Sequence, residues 1–204
     1  MSAEQEAVEA GGEAPPEVIR TARLLLRRPR LDDAAAIFRN WASVSVATRY
    51  LSWPTHQSVA ETESHVADTV EWWERGSHVW LITLPPSDEP IGSIGVRVRE
   101  TEADIGYVLS PDHWGQEIMP EAGRAVLAEL FARPEIASVW AHLDAENQPS
   151  ERTVQKLGMT LVERFIGPVA HPNVSPDPRP CLKYAISREQ WQQASPSRAP
   201  SATD

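Results

Sequence analysis

The chain has 204 residues, with 29 Asp and Glu against 19 Lys and Arg, and a net charge of −10. That acidity, with no basic patch in view, argues against a nucleic-acid partner and mildly favours cationic ones. A single cysteine, Cys181, excludes an intrachain disulfide framework and any multi-cysteine metal site, so no metal is expected.

Residues 1–17 hold five glutamates, no Lys or Arg, and no apolar periodicity, and residues 192–204 read alike; both are expected to be disordered tails. Residues 18–191 remain for one domain. No basic-then-apolar leader and no membrane-length apolar run is present, so no membrane partner is expected and the expected location is the cytoplasm.

In chain order, RLLLRR (23–28) alternates as a strand with Leu24 and Leu26 on one face. Asp32 and Asp33 then open a helix through AAAIFRNWA, acids suited to a helix N-terminus. Ser58 and Glu61 have capping-box spacing at the head of a longer helix with Val59, Val66, Val70 and Trp73 on its apolar face, ended by Gly76. Three strands follow, at 78–84, 91–98 and 103–109. Pro120 suits the first turn of a helix that carries Ala122, Val126, Leu127, Leu130 and Phe131 on one face. A strand (136–143), a short helix (149–157) stopped by Gly158, and strands at 159–166 and 181–186 complete the order. This is a mixed α/β pattern: about seven strands in a mostly antiparallel sheet, flanked by about four helices.

HWGQEIMPEA (113–122) lies where a strand turns into a helix, so its backbone N–H groups and the helix dipole suit a phosphate or pyrophosphate. Alone the segment matches neither a Walker nor a Rossmann pattern. Four blocks carry a wider likeness: TARLLLRRPRLDDA (21–34), ADIGYVLSPDHWGQEIMPEA (103–122), AENQPSERTVQKLGM (145–159) and LKYAISREQW (182–191). In that order and spacing the chain resembles the GNAT superfamily of N-acetyltransferases, and within it the branch containing the ribosomal-protein N-terminal acetyltransferases.

The resemblance implies a single GNAT-type domain with a splayed strand pair at the cofactor site, and acetyl-coenzyme A as co-substrate. It places Tyr107 and Leu109 against the coenzyme through their main chains. It puts the pyrophosphate on Trp114, Gly115, Gln116, Glu117, Ile118 and Met119. Here the sequence departs from the family pattern, with Glu117 at the second glycine of Gly-x-Gly and Met119 at the usual small position. Two outcomes fit Glu117: its side chain turns outward while its N–H still donates, or coenzyme binding is weakened. Asn147 and Ser150 match the family's Asn-x-x-Ser, Asn147 to bond the pantetheine or help place the acceptor, Ser150 as a coenzyme contact or a proton donor to the leaving thiolate; both residue types also cap helices. Lys156 reads as a solvated helix residue.

Transfer to an amine needs a neutral nucleophile, and the resemblance makes Asp104 the candidate base, an edge-strand Asp facing solvent being the alternative, with Glu100 and Glu102 weaker. No covalent intermediate is needed, so Cys181 reads as structural. The resemblance places the acceptor between the early helices and the late strand-to-strand loop, which makes Tyr50, Trp53 and His56 candidate contacts, with His171 and Asp177 from that loop. The acceptor is either a protein N-terminal amine or a small primary amine. The family often forms dimers, and a homodimer is compatible with the chain. The competing readings are a non-catalytic or cofactor-impaired relative and an acyltransferase for a larger acyl-coenzyme A.

Overall fold

The computed structural model describes residues 15–73, 75–167 and 171–194. Eight strands form one sheet: β1 (Val18–Arg20), β2 (Leu25–Arg27), β3 (Ser77–Thr83), β4 (Pro90–Arg99), β5 (Glu102–Leu109), β6 (Ser138–Asp144), β7 (Thr160–Ile166) and β8 (Pro180–Ser187). Their spatial order is β1-β2-β3-β4-β5-β6-β8-β7, antiparallel throughout except for the parallel pair β5·β6. The expected mixed, mostly antiparallel sheet is thus observed, with one strand more than the pattern suggested. The added strand is β1, whose three residues are too few to show a period; it pairs Ile19 with Leu26.

Among the described residues six α-helices accompany the sheet: α1 (Ala34–Ile37), α2 (Ser45–Thr48), α3 (Val59–Trp73), α4 (Ile118–Ala132), α5 (Gln148–Lys156) and α6 (Arg188–Ala194). The single early helix expected from Asp32 onward is instead a chain of short turns, with 3-10 geometry at Leu31–Asp33 and π geometry at Phe38–Ala42. The wide turn has a local cause: both the N–H and the hydroxyl of Ser43 donate to the Phe38 carbonyl, at 3.1 and 2.7 Å. Asp33 fixes the start of this segment. Its carboxylate accepts the Arg30 N–H at 2.7 Å and pairs with the buried Arg27 guanidinium at 2.9 and 2.6 Å.

Around α3 the expected capping box is shifted by one residue. Glu61 N–H donates to Ser58 Oγ at 3.3 Å, while the Glu61 carboxylate reaches back to the N–H of Gln57 at 2.9 Å. Val59, expected on the apolar face, is exposed, and Thr62 and Thr69 are buried beside Val66 and Trp73.

Two apolar layers flank the sheet. Strand alternation sends Ile82, Ile94, Ile105 and Leu182 to one face, where Val126, Leu127 and Leu130 of α4 and Val154 of α5 cover them. On the other face Leu81 and Val108 meet Ala34, Ile37, Trp41 and Val66 from the early helices.

The tails expected at 1–17 and 192–204 fall mostly on residues 1–14 and 195–204, which lie outside the described residues. Residues next to them have defined places. The Pro16 carbonyl accepts Trp80 Nε1–H at 2.9 Å, Glu17 pairs with Arg28 at 3.0 Å, and residues 192–194 belong to α6.

Candidate active site

The turn between β5 and α4 is held from several sides. Ser110 N–H donates to Ile91 O at 2.8 Å, Trp114 N–H to Pro111 O at 3.1 Å, and Trp114 Nε1–H to Leu109 O at 2.9 Å. Arg23 Nη2 donates to the Gln116 carbonyl at 3.2 Å while it pairs with Glu121 at 2.7 Å, tying the turn to the chain before β2. The Gln116 side chain turns back to Asp112 O at 3.0 Å.

Gly115 and Glu117 both adopt left-handed backbone, with φ of 72° and 60°. Gly115 takes this conformation freely; at Glu117 it is strained. The result delivers the chain into α4 with Glu117 as N-cap. The first N–H groups of a helix have no intrahelical acceptor. Those of Glu117, Ile118 and Met119 meet no other backbone acceptor among the described residues. Ile118 and Met119 are 1% and 5% exposed and their side chains belong to the core, which leaves their N–H groups as what they offer the turn. Unengaged donors at the head of a 15-residue helix, with open space beside Gly115, fit a diphosphate. The Glu117 carboxylate turns across to α5 and pairs with Lys156 Nζ, both side chains about half exposed. Lys156 is therefore not simply solvated.

Beside the turn the sheet parts. The β5·β6 ladder is limited to Glu102↔Ser138, Ala103↔Val139 and Asp104↔Trp140, and the β6-facing edge of β5 from Ile105 to Leu109 has no partner strand among the described residues. Antiparallel pairing to β4 continues over that same stretch, so β5 keeps its shape while its other edge opens. The opening leads into a cleft of about 830 Å³ that runs from Gly115 and Met119, past Tyr107 and Ser150, to Asp104 and Tyr50.

Two hydroxyls meet in the middle of the cleft. Ser150 Oγ donates to Tyr107 Oη at 2.9 Å, and the Tyr107 hydroxyl lies 3.0 Å from the Ser150 carbonyl that accepts from it. Burial pushes the Tyr107 phenol up to about 12, so it stays protonated through the neutral range. Asn147 is the N-cap of α5: its Oδ1 accepts the Ser150 N–H at 3.2 Å, and Pro149 follows within the first turn. The capping role open from the sequence is thus present for Asn147, which also lines the cleft.

On the far side, Asp104 Oδ2 accepts from Arg97 Nε and Nη2 at 3.2 Å each, while Oδ1 is buried with no hydrogen-bond partner among the described residues. Of the expected acceptor contacts, Tyr50 lines the cleft and Trp53 and His56 do not. The latter two stack together at 4.8 Å and continue to His65, and His56 Nδ1 bonds the Thr62 hydroxyl at 2.8 Å. Both thus pack against α3, beside the cleft and not in its lining. His171 reaches the cleft; Asp177 is exposed and outside it. Glu100 sits in left-handed backbone at the β4–β5 hairpin and Glu102 accepts from Ser138 Oγ at 3.2 Å, both outside the cleft.

Sequence reasoning missed two cleft residues. His142, on β6 beyond the last pair with β5, packs between Trp140 and Phe165 at 4.5 and 4.9 Å. His142 keeps an exposed face, yet partial burial, then nearby Lys183, holds its imidazole below the ordinary value, which favours the neutral form at pH 7. Asp144 is fully buried in side chain; burial would raise its carboxyl, but Arg179 at 2.6 Å and the Glu146 N–H at 2.8 Å outweigh that and hold it below the usual range. Cys181 is buried beside it, its thiol pushed up by burial, which suits a structural residue and not a nucleophile.

An open sheet split at one parallel pair, with a donor-lined turn at the head of the split, is the arrangement that the family resemblance implied. Residues 23–160 match the acetyltransferase (GNAT) domain, and the chain belongs to that family of N-acetyltransferases. It is 27% identical over 145 residues to the uncharacterized N-acetyltransferase p20 of Bacillus licheniformis, covering 69% of this chain and 81% of that one. The fold is similar to that of a GNAT-family acetyltransferase from Bacillus anthracis, with a TM-score of 0.74 at 23% identity over 84% of this chain and 99% of that one. It is also similar to the ribosomal-protein α-N-acetyltransferase RimL solved in complex with coenzyme A, with a TM-score of 0.73 at 23% identity over 84% and 98% of the two chains. Among the described residues no helix is long and apolar enough to cross a membrane.

Proposed function

We propose that the chain moves an acetyl group from acetyl-coenzyme A to a primary amine by direct attack, with the turn at 114–119 holding the diphosphate. The observation that carries this reading is the opening of β5 from β6 beyond Asp104, which joins the donor-lined turn to a carboxylate oxygen with no partner. Acetyl-coenzyme A supplies an activated acyl carbon. The amine nitrogen bonds to that carbon, the carbon–sulfur bond breaks, and one amine proton is lost while the sulfur gains one.

The residues present suit each part. Asp104 Oδ1 is a proton acceptor on the acceptor side, with neutral His142 on the same sheet face. Ser150, backed by the protonated Tyr107, is a donor on the sulfur side. Free edge groups of Ile105 to Leu109 suit the amide-rich pantetheine arm and polarise the acyl oxygen. The acceptor is a protein N-terminal amine or a small primary amine bound near Tyr50 and His171.

Glu117 motivates a second reading, a relative that keeps the fold with impaired cofactor binding. Thermal unfolding with and without acetyl-coenzyme A separates the two. The enzyme reading expects a rise in Tm that grows with cofactor concentration, as about 2.7 kcal/mol of stabilisation at a hundredfold excess over Kd requires. No shift at saturating cofactor, with the native fold intact, supports the impaired relative.

A further inference from the structure

We propose that Lys156 is a positioning residue of the acyl-coenzyme A site and acts through Glu117. It draws the Glu117 carboxylate off the diphosphate-binding N–H groups and cancels its charge, so that a turn with an acid in a glycine position still takes an anion. The inference rests on the acetyltransferase reading above.

A carboxylate at a helix N-cap has its own helix's free N–H groups as its nearest partners, and the helix dipole favours it there. Left to itself, Glu117 would occupy the donors that a diphosphate needs, and would repel that diphosphate as well. In the structure it does neither: Glu117 makes no side-chain cap bond, and its Oε1 is held by Lys156. The other cations around the turn leave this task to Lys156. Arg23 is taken up by Glu121 and the Gln116 carbonyl, and Arg152 lines the cleft with no ion pair to Glu117.

The reach of Lys156 has its own structural support. Gly123 of α4 has no Cβ, and one built there would stand 2.8 Å from Leu157 Cδ1. That close approach of α4 to the end of α5 brings the neighbouring residue, Lys156, to the head of α4. Lys156 also closes α5, where a cation is favoured by the helix dipole.

A double-mutant cycle read by calorimetric titration with coenzyme A, alongside kcat and KM, tests the inference. Lys156→Ala is expected to weaken coenzyme A binding about three- to tenfold and to raise KM for acetyl-coenzyme A with kcat unchanged. Glu117→Gln keeps the left-handed backbone but removes the charge; it is expected to bind as tightly as the wild type or tighter. In the Glu117→Gln background, Lys156→Ala is expected to cost less than about twofold, and Lys156→Arg alone is expected to keep wild-type affinity. Equal losses from Lys156→Ala in both backgrounds make Lys156 a direct phosphate contact and overturn the inference, as does no loss in either. A folded wild type that binds no coenzyme A overturns the acetyltransferase reading itself, and this inference with it.

Discussion

Tyr107 and Ser150 sit in different elements, 43 residues apart, yet their hydroxyls are 2.9 Å from one another in the cleft. Because burial raises the phenol from 10.0 to about 12, the fold favours its neutral form. The stability linked to that form is complete below pH 10 and is lost as the pH climbs toward 12. Tyr107→Phe should therefore flatten the alkaline loss of stability in that window, and a phenolate titration by ultraviolet absorbance should lose a late-titrating tyrosine. The same variant should lower kcat about tenfold or more while leaving KM for acetyl-coenzyme A nearly unchanged, if the pair donates to the sulfur. Full kcat in Tyr107→Phe would leave the pair with a packing role alone.

Among the elements, α5 shows how one residue serves both the fold and the site. Asn147 caps the helix through Oδ1, and the same bond fixes Ser150 toward Tyr107. Asn147→Ala should cost about 1 kcal/mol of stability through the lost cap. Asn147→Asp keeps the acceptor oxygen and should hold the wild-type Tm, yet it replaces the amide donor facing the cleft by a negative charge. A rise in KM for acetyl-coenzyme A with Asn147→Asp at unchanged Tm identifies a ligand role beyond the cap; unchanged KM confines Asn147 to capping. This helix was readable in the sequence because Asn, Pro and Gly mark its ends locally. The early helices were not, because their breaks depend on contacts such as the Ser43 bonds to Phe38 and the Asp33 pair with Arg27, which apolar periodicity does not record.

Across the molecule, the sheet was legible and the site only in part. Alternation and turn residues marked seven of the strands to within a few residues, and β1 alone was too short to leave a signal. The residues of the turn follow from a continuous motif, and the splay sits where the family resemblance implied it. The far side of the cleft is assembled from β6, β8 and the 171–179 loop, which meet only in the fold. His142 and Asp144 therefore carried no local mark, whereas Trp53 and His56 looked like ligands but pack under α3 with His65. Long-range bonds make that assembly definite: Asn173 joins the loop to Thr55 N–H at 2.8 Å and to the carbonyls of Thr48 and Trp53 at 2.8 and 2.9 Å.

The most direct test of the whole account is release of free thiol from acetyl-coenzyme A by the purified protein, followed over a panel of N-terminal peptides, polyamines, amino acids and aminosugars. The account predicts amine-dependent release, with stoichiometric acetylation of the responding amine found by mass spectrometry, and loss of most of that rate in Asp104→Asn. A protein that binds acetyl-coenzyme A but releases no thiol above the hydrolytic background with any acceptor class would contradict it.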